Sequence, residues 1–192
     1  MKSLPVLSLQ ARSHELSLPA AQMAALERSG APAFDEVLAR HGRSPLEAHA
    51  IEVLQVNVGK LCNQTCAHCH VDAGPDRREV MSRETAEQVI ELLRREPGIP
   101  TLDITGGAPE LNPQFRLLVT EASALGRRII DRCNLTVLLL PSQRDLLGFL
   151  REHRVEVTAS LPSFRASGTD AQRGDGIFAK SLEALRLLNE AG

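Results

Sequence analysis

From Glu52 onward, apolar and polar positions follow two alternating periods. Glu52–Val58 is rich in β-branched residues and stops at Gly59, which predicts a strand. A loop then leads to Ser82, a natural N-cap, with Ala86, Val89, Ile90 and Leu93 at i, i+3, i+4 and i+7. That spacing places one apolar stripe on a helix, which Pro97-Gly98 ends. Thr101–Thr105 predicts a second strand, running into Gly106-Gly107. Asn112-Pro113 opens a helix striped by Phe115, Leu118, Val119 and Ala122 and closed by Gly126. Arg128–Cys133 reads as a third strand, and Pro141-Ser142 starts a helix carrying Leu146, Leu147 and Leu150. Val155–Ser160 reads as a fourth strand. Residues 163–176 read as a polar, Gly-containing loop, and a last helix with Phe178, Leu182 and Leu185 runs to Asn189.

The resulting order, βαβαβαβα with short connections, predicts an α/β fold. Its sheet is parallel with right-handed crossovers, either open or part of a barrel. Ligands bind at the carboxyl ends of strands in both architectures. The loop after the first strand, Gly106-Gly107, Asn134 and Ser160 all follow strand ends, so they are expected on one face. Residues 1–50 differ in character. Helices are expected at 18–28, stopped by Gly30, and at 34–41, stopped by Gly42, with another turn starting at Ser44-Pro45. The organisation expected is a helical N-terminal extension over 1–50, covering one end of a core, and a βα domain over 51–192. A four-stranded parallel sheet leaves an edge that proteins normally cover, so further C-terminal βα units are expected to be missing from this chain.

Composition narrows the function. The 192 residues are 43% apolar, enough to fill a core, with 22 basic and 24 acidic residues and a net charge of −2. A dedicated nucleic-acid binder would show a basic excess, and five Phe with no Trp or Tyr make a poor base-stacking platform. The longest apolar run, Val137–Leu140, is far short of the roughly 20 residues that span a bilayer. Met1–Pro5 does not build the apolar core of a signal peptide, so a soluble, cytoplasmic protein is expected.

Three of the four cysteines, Cys62, Cys66 and Cys69, fall within eight residues as C-x3-C-x2-C. Such clustering in a reducing compartment points to metal or redox chemistry rather than a disulfide framework. Three thiolates on one loop can hold three corners of an iron–sulfur cubane, leaving one iron open to a chelating ligand. A zinc site using His68 or His70 is an alternative, although structural zinc sites usually split their ligands into two separated pairs. Cys66–His70 also fits C-x-x-C-H, the haem c pattern, and a thioredoxin-like pair would leave Cys62 unused. Thr105-Gly106-Gly107-Ala108-Pro109-Glu110 follows one βα unit later, where two glycines let backbone approach a ligand and Pro109 stiffens the turn. Asn134 and Ser160 fit polar contacts to a ligand or plain turn and strand-end roles. His70 and the 163–176 loop fit either a site contact or a solvated loop, and Cys133 also fits a small buried hydrophobe.

Together the cysteine loop and the glycine turn resemble the signatures of radical S-adenosylmethionine enzymes. That resemblance implies a [4Fe–4S] cluster on Cys62, Cys66 and Cys69 and S-adenosylmethionine at Gly106, Gly107, Ala108 and Pro109, with Asn134 and Ser160 near its ribose or carboxylate. Ala108 stands where the common Gly-Gly-Glu-Pro motif has Glu, which leaves the backbone contact. More closely, residues 54–63, 66–75, 103–113, 131–136, 159–162 and 170–174 are similar to the arsenosugar-biosynthesis radical S-adenosylmethionine proteins, in which Gly-Gly-Ala-Pro is the usual form. The resemblance implies joining of a 5′-deoxyadenosyl group to a methylated trivalent arsenic species, with Cys133 the spare thiol for a thiophilic substrate. It also implies an electron donor such as flavodoxin or ferredoxin, and a barrel of six βα units of which four are readable here. Ser163-Phe164 departs from the Cys-aromatic pair of that family. The alternatives are a radical S-adenosylmethionine enzyme acting on a peptide or nucleotide, and a zinc-stabilised binding module.

Overall fold

The computed structural model describes residues 18–47 and 49–192, so Met1–Pro5 lies outside the described residues. The chain divides between Ile51 and Glu52 into two compact units. The described part of the first contains α1 (Pro19–Arg28) and α2 (Phe34–Arg40), neither with a buried residue. No helix forms at Ser44-Pro45. A single turn fixes three residues for one hydrogen bond, and Leu46, 78% exposed, adds no packing to offset that cost.

The second unit is a four-stranded, all-parallel sheet of β1 (Val53–Asn57), β2 (Thr101–Thr105), β3 (Arg128–Asp131) and β4 (Glu156–Val157). The strands lie side by side in chain order, with Val56, Ile104, Asp131 and Val157 in register. That winding continues in one direction, as in a barrel, and does not reverse as in a doubly wound sheet. The helices are α3 (Arg83–Arg95), α4 (Phe115–Ala124), α5 (Leu146–Glu152), α6 (Ala166–Arg173) and α7 (Ile177–Ala191). Ser82 caps α3 by accepting from the Thr85 N–H at 3.2 Å. No helix among the described residues is long and apolar enough to cross a membrane.

Strand periodicity separates two chemistries. One face of the sheet, Val56, Leu102, Ile104 and Ile129, joins Ala86, Ile90, Leu93, Phe115, Leu118 and Val119 in the buried core. The other face is polar, with Gln55, Asn57, Asp103 and Thr105 at alternate positions of β1 and β2. Burying about ten large apolar side chains at roughly 1.5–3 kcal/mol each holds this unit together.

Two differences from the periodicity stand out. The fourth strand shortens to Glu156–Val157, although Thr158 and Ser160 N–H groups still donate to Asp131 and Cys133 carbonyls at 2.8 and 3.1 Å. Residues 163–176 are not one loop, because they contain α6. Its sequence carries no apolar stripe and includes Gly168, where a Cβ would lie 2.6 Å from Ser163 Oγ. Tertiary bonds stabilise it instead. Thr169 Oγ1 donates to the Ser163 carbonyl at 2.9 Å, and Asp170 accepts the Gly176 and Phe178 N–H groups at the start of α7.

Candidate functional site

The three loop cysteines are held by a closed base. Lys60 N–H donates to Glu79 O at 2.7 Å and Met81 N–H to Val58 O at 2.8 Å, so the loop leaves and rejoins β1 at one place. Cys62 N–H donates to Gly74 O at 3.2 Å, and Gly74 N–H to Lys60 O at 3.0 Å. Arg77, 6% exposed, bridges Asp72 and Glu79. Its bonds and charge hold the Glu79 carboxyl down at about 2. At its tip the loop is tied to α6, the Ala67 N–H donating to Gln172 O at 2.9 Å.

The glycine turn after β2 closes on this loop. Gly107 N–H donates to Gly59 O and Ala108 N–H to Leu61 O, both at 2.9 Å. A Cβ at Gly107 would sit 2.4 Å from the Leu61 carbonyl oxygen, so only glycine permits the approach. With those N–H groups engaged, the turn has carbonyl acceptors to offer, which suit a donor such as an ammonium group.

A cavity of about 540 Å³ opens here, within the size range of small-molecule sites. Cys62, Cys66 and Cys69 line it with Gly106, Gly107, Asn134, Ser160 and His70. Ala108 and Pro109 are buried and do not line it; Ala108 acts through its bond to Leu61. Cys133 is also outside the cavity. The period of two explains this: Arg132 and Asn134 face the polar side while Asp131 and Cys133, both at 0% exposure, face the core.

The donors around the sulfurs define the chemistry. Asn134 Nδ2 donates to Cys62 Sγ at 3.3 Å and to Asn63 Oδ1 at 2.8 Å, and the Ala73 N–H donates to Cys69 Sγ at 3.3 Å. Burial raises the Cys62 thiol despite the bonds from Gln64 and Asn134. Burial pushes Cys66 up to about 11, against the pull of Arg173. His68 is lowered by burial and by the Arg173 charge. Thiols can exchange their protons for a cation, so one buried and two half-buried thiols on a single loop are a candidate metal-binding set. Thiolates of one tetrahedral zinc lie about 3.7 Å apart at a Zn–S distance of about 2.3 Å. The loop sulfurs form no such group; the trio of candidate ligand atoms mutually within 4.8 Å among the described residues lies elsewhere. Three cysteines around a wider cavity fit a polynuclear cluster.

Several cavity residues were not legible as such in the sequence. Gln55, Asn57 and Thr105 follow a polar-face alternation that a solvent-facing strand would share. Arg132 donates to Asp103 at 2.7 Å and Gln55 to Asp103 at 2.9 Å, tying β1, β2 and the residue that follows β3 together along the cavity. Arg173 and Gln64 also line it, and Gln64 donates to Thr136 at 2.6 Å. Arg173 comes from α6, within the 163–176 segment for which a site contact is one of the two readings; what the sequence does not show is that a helix carries it there.

Comparisons with known proteins give the family and the fold. Residues 56–192 match the family model of the Radical SAM superfamily. Mycofactocin maturase MftC of Mycobacterium ulcerans is 33% identical over 132 residues, covering 68% of this chain and 34% of the relative. The antilisterial bacteriocin subtilosin biosynthesis protein AlbA of Bacillus subtilis is 25% identical over 134 residues, 68% of this chain and 29% of the relative. The chain thus spans about a third of the length of these curated relatives. SuiB of Streptococcus suis shares the fold. Its S-adenosylmethionine-bound structure gives a TM-score of 0.62 at 16% identity over 82% of this chain and 35% of that one. Its complex with the precursor peptide SuiA gives 0.61 at 18% identity over 82% and 34%. A cysteine loop and a glycine turn closed onto each other at the carboxyl end of a parallel sheet, with a family match over residues 56–192, make this chain a member of the Radical SAM superfamily, whose enzymes use a [4Fe–4S] cluster and S-adenosylmethionine.

Proposed function

We propose that Cys62, Cys66 and Cys69 would hold a [4Fe–4S] cluster and that the same cavity would take S-adenosylmethionine. The observation that carries this reading is the shared cavity of the three cysteines, Gly106, Gly107, Asn134 and Ser160. Gly106 and Gly107 offer carbonyls to the methionine ammonium, while Asn134 and Ser160 meet the carboxylate or ribose. Asn134 also donates to Cys62 Sγ, so it tunes the cluster as well as contacting the ligand. A bound, reduced cluster would supply the electron for reductive cleavage of S-adenosylmethionine. The chain's own part is to hold, orient and enclose.

For the whole protein, the proposed reaction is adenosylation of a methylated trivalent arsenical, with a flavodoxin or ferredoxin as electron donor. Sequence resemblance over residues 54–174 supports this choice, and Cys133, being outside the cavity, takes no part in it. A peptide substrate is the second reading. It is supported by the similarity to AlbA, a bacteriocin biosynthesis protein, and to SuiB, solved with a precursor peptide. The test is anaerobic reconstitution with iron and sulfide, followed by reduction with S-adenosylmethionine present. Release of 5′-deoxyadenosine that depends on all three cysteines is the expected result, and a cluster surviving Cys62→Ala unchanged would overturn it. An adenosylated arsenical formed from dimethylated trivalent arsenic selects the first substrate reading, and its absence alongside 5′-deoxyadenosine release removes it.

A further inference from the structure

Glu110, Asp131 and Cys133 form a second cluster that the cofactor reading does not use. Glu110 lies on the 3₁₀ turn Pro109–Leu111 that follows the glycine turn. Asp131 ends β3, and Cys133 lies two residues further on the same sheet face. One ligand atom from each lies within 4.8 Å of the other two. Asp131 and Cys133 are 0% exposed and Glu110 is 5% exposed. None of the four carboxylate oxygens receives a hydrogen bond from a basic, amide or hydroxyl side chain among the described residues; Glu110 leans instead on Asp131, on Cys133 and on its own backbone N–H, contacts that a shared proton or a cation can satisfy. Buried oxygens in that state cost about 1–3 kcal/mol each unless something neutralises them. Burial and mutual repulsion push the Asp131 carboxyl and the Cys133 thiol up, and burial raises Glu110. The Leu135 N–H donates to Cys133 Sγ at 3.2 Å, a bond that favours a thiolate.

We propose that Glu110, Asp131 and Cys133 bind one divalent transition-metal ion of the zinc class, pinning the turn after β2 to the end of β3 behind the cofactor cavity. One soft sulfur and two carboxylate oxygens suit a borderline ion. Magnesium and calcium instead collect about six or more oxygens. Around zinc, with bonds of about 2.0 Å to oxygen and 2.3 Å to sulfur, the donors would lie roughly 3.3–3.5 Å apart. Contraction from within 4.8 Å is a side-chain adjustment. Binding exchanges the acid protons for the ion and releases them to solvent. The site shares no ligand with Cys62, Cys66 and Cys69, so it does not depend on the cluster.

The test uses the 192-residue chain with Cys62, Cys66 and Cys69 all changed to Ser, which leaves Cys133 as its single cysteine. After exposure to zinc and removal of loosely held metal, elemental analysis should find one zinc per chain. Zinc X-ray absorption should show one sulfur at about 2.3 Å with oxygen neighbours. Adding Cys133→Ser or Glu110→Gln should bring zinc to background. Should either variant fail to fold by circular dichroism, the parent's zinc content and sulfur shell decide alone. A folded parent without zinc overturns the proposal, because the three acids then keep their protons. Zinc bound without sulfur overturns it equally.

Discussion

Gly107→Ala tests how tightly the glycine turn and the cysteine loop are locked. The new Cβ would lie 2.4 Å from Leu61 O, 2.9 Å from Leu61 C and 2.9 Å from Lys60 C. All three are backbone atoms, so no flexible side chain can swing away. Overpacking of this kind costs about 1–3 kcal/mol. Pushing the strands of the loop apart also weakens Gly107 N–H to Gly59 O and Ala108 N–H to Leu61 O, at roughly 0.5–1.5 kcal/mol each. The sum is about 2–6 kcal/mol. With a urea slope of about 2 kcal/mol/M, the unfolding midpoint of the apoprotein should fall by roughly 1–3 M. Iron uptake on reconstitution should fall with it, since the displaced segment leads directly into Cys62. Gly148→Ala is the contrasting control. It lies inside α5 with no atom within 4 Å of the added Cβ, and should stabilise by about 0.4–1 kcal/mol. A Gly107→Ala protein with an unshifted midpoint and full iron loading would refute the interlocked arrangement.

The remaining predictions concern the partners of that loop. Asn134→Ala removes the amide donor to Cys62 Sγ, which favours the more negative, reduced cluster, so the potential should fall in an EPR-monitored redox titration. An unchanged potential would show that the bond has no electronic role. Arg77→Met leaves the buried Asp72 carboxylate without its guanidinium and should cost about 3–5 kcal/mol in urea unfolding. Asp103 is pushed up by burial, but bonds from Arg132 and Gln55 outweigh this and hold it below the usual carboxylate range. Its folded value is therefore below its unfolded value of about 3.9. Its contribution is present above that pH and is lost as pH falls through the folded value. Asp103→Asn should accordingly lose stability at pH 7 and show a smaller further loss towards pH 3; identical pH profiles would contradict the assignment.

Local rules were enough for the βα succession, because each helix and strand of the sheet carries its own period and stop. Ser82 and the Ala86–Leu93 stripe fix α3, and Gly106-Gly107 marks the end of β2, without reference to anything distant. The cysteine spacing was legible for the same reason: three ligands on one loop are neighbours in sequence as well as in space. What lies between elements was not. Whether Gln55 and Asn57 face solvent or a cavity depends on how the strands wind, since alternation assigns a side chain to a face without saying what the face meets. Arg173 reaches the cavity because Ser163, Asp170 and Gln172 hold α6 in place through contacts that a helical stripe does not encode. Asp131 and Cys133 look like strand-end residues in the sequence. Only the packing of the 3₁₀ turn against β3 brings Glu110 to them, because that juxtaposition is set by the tertiary approach of two segments rather than by either segment's own preference.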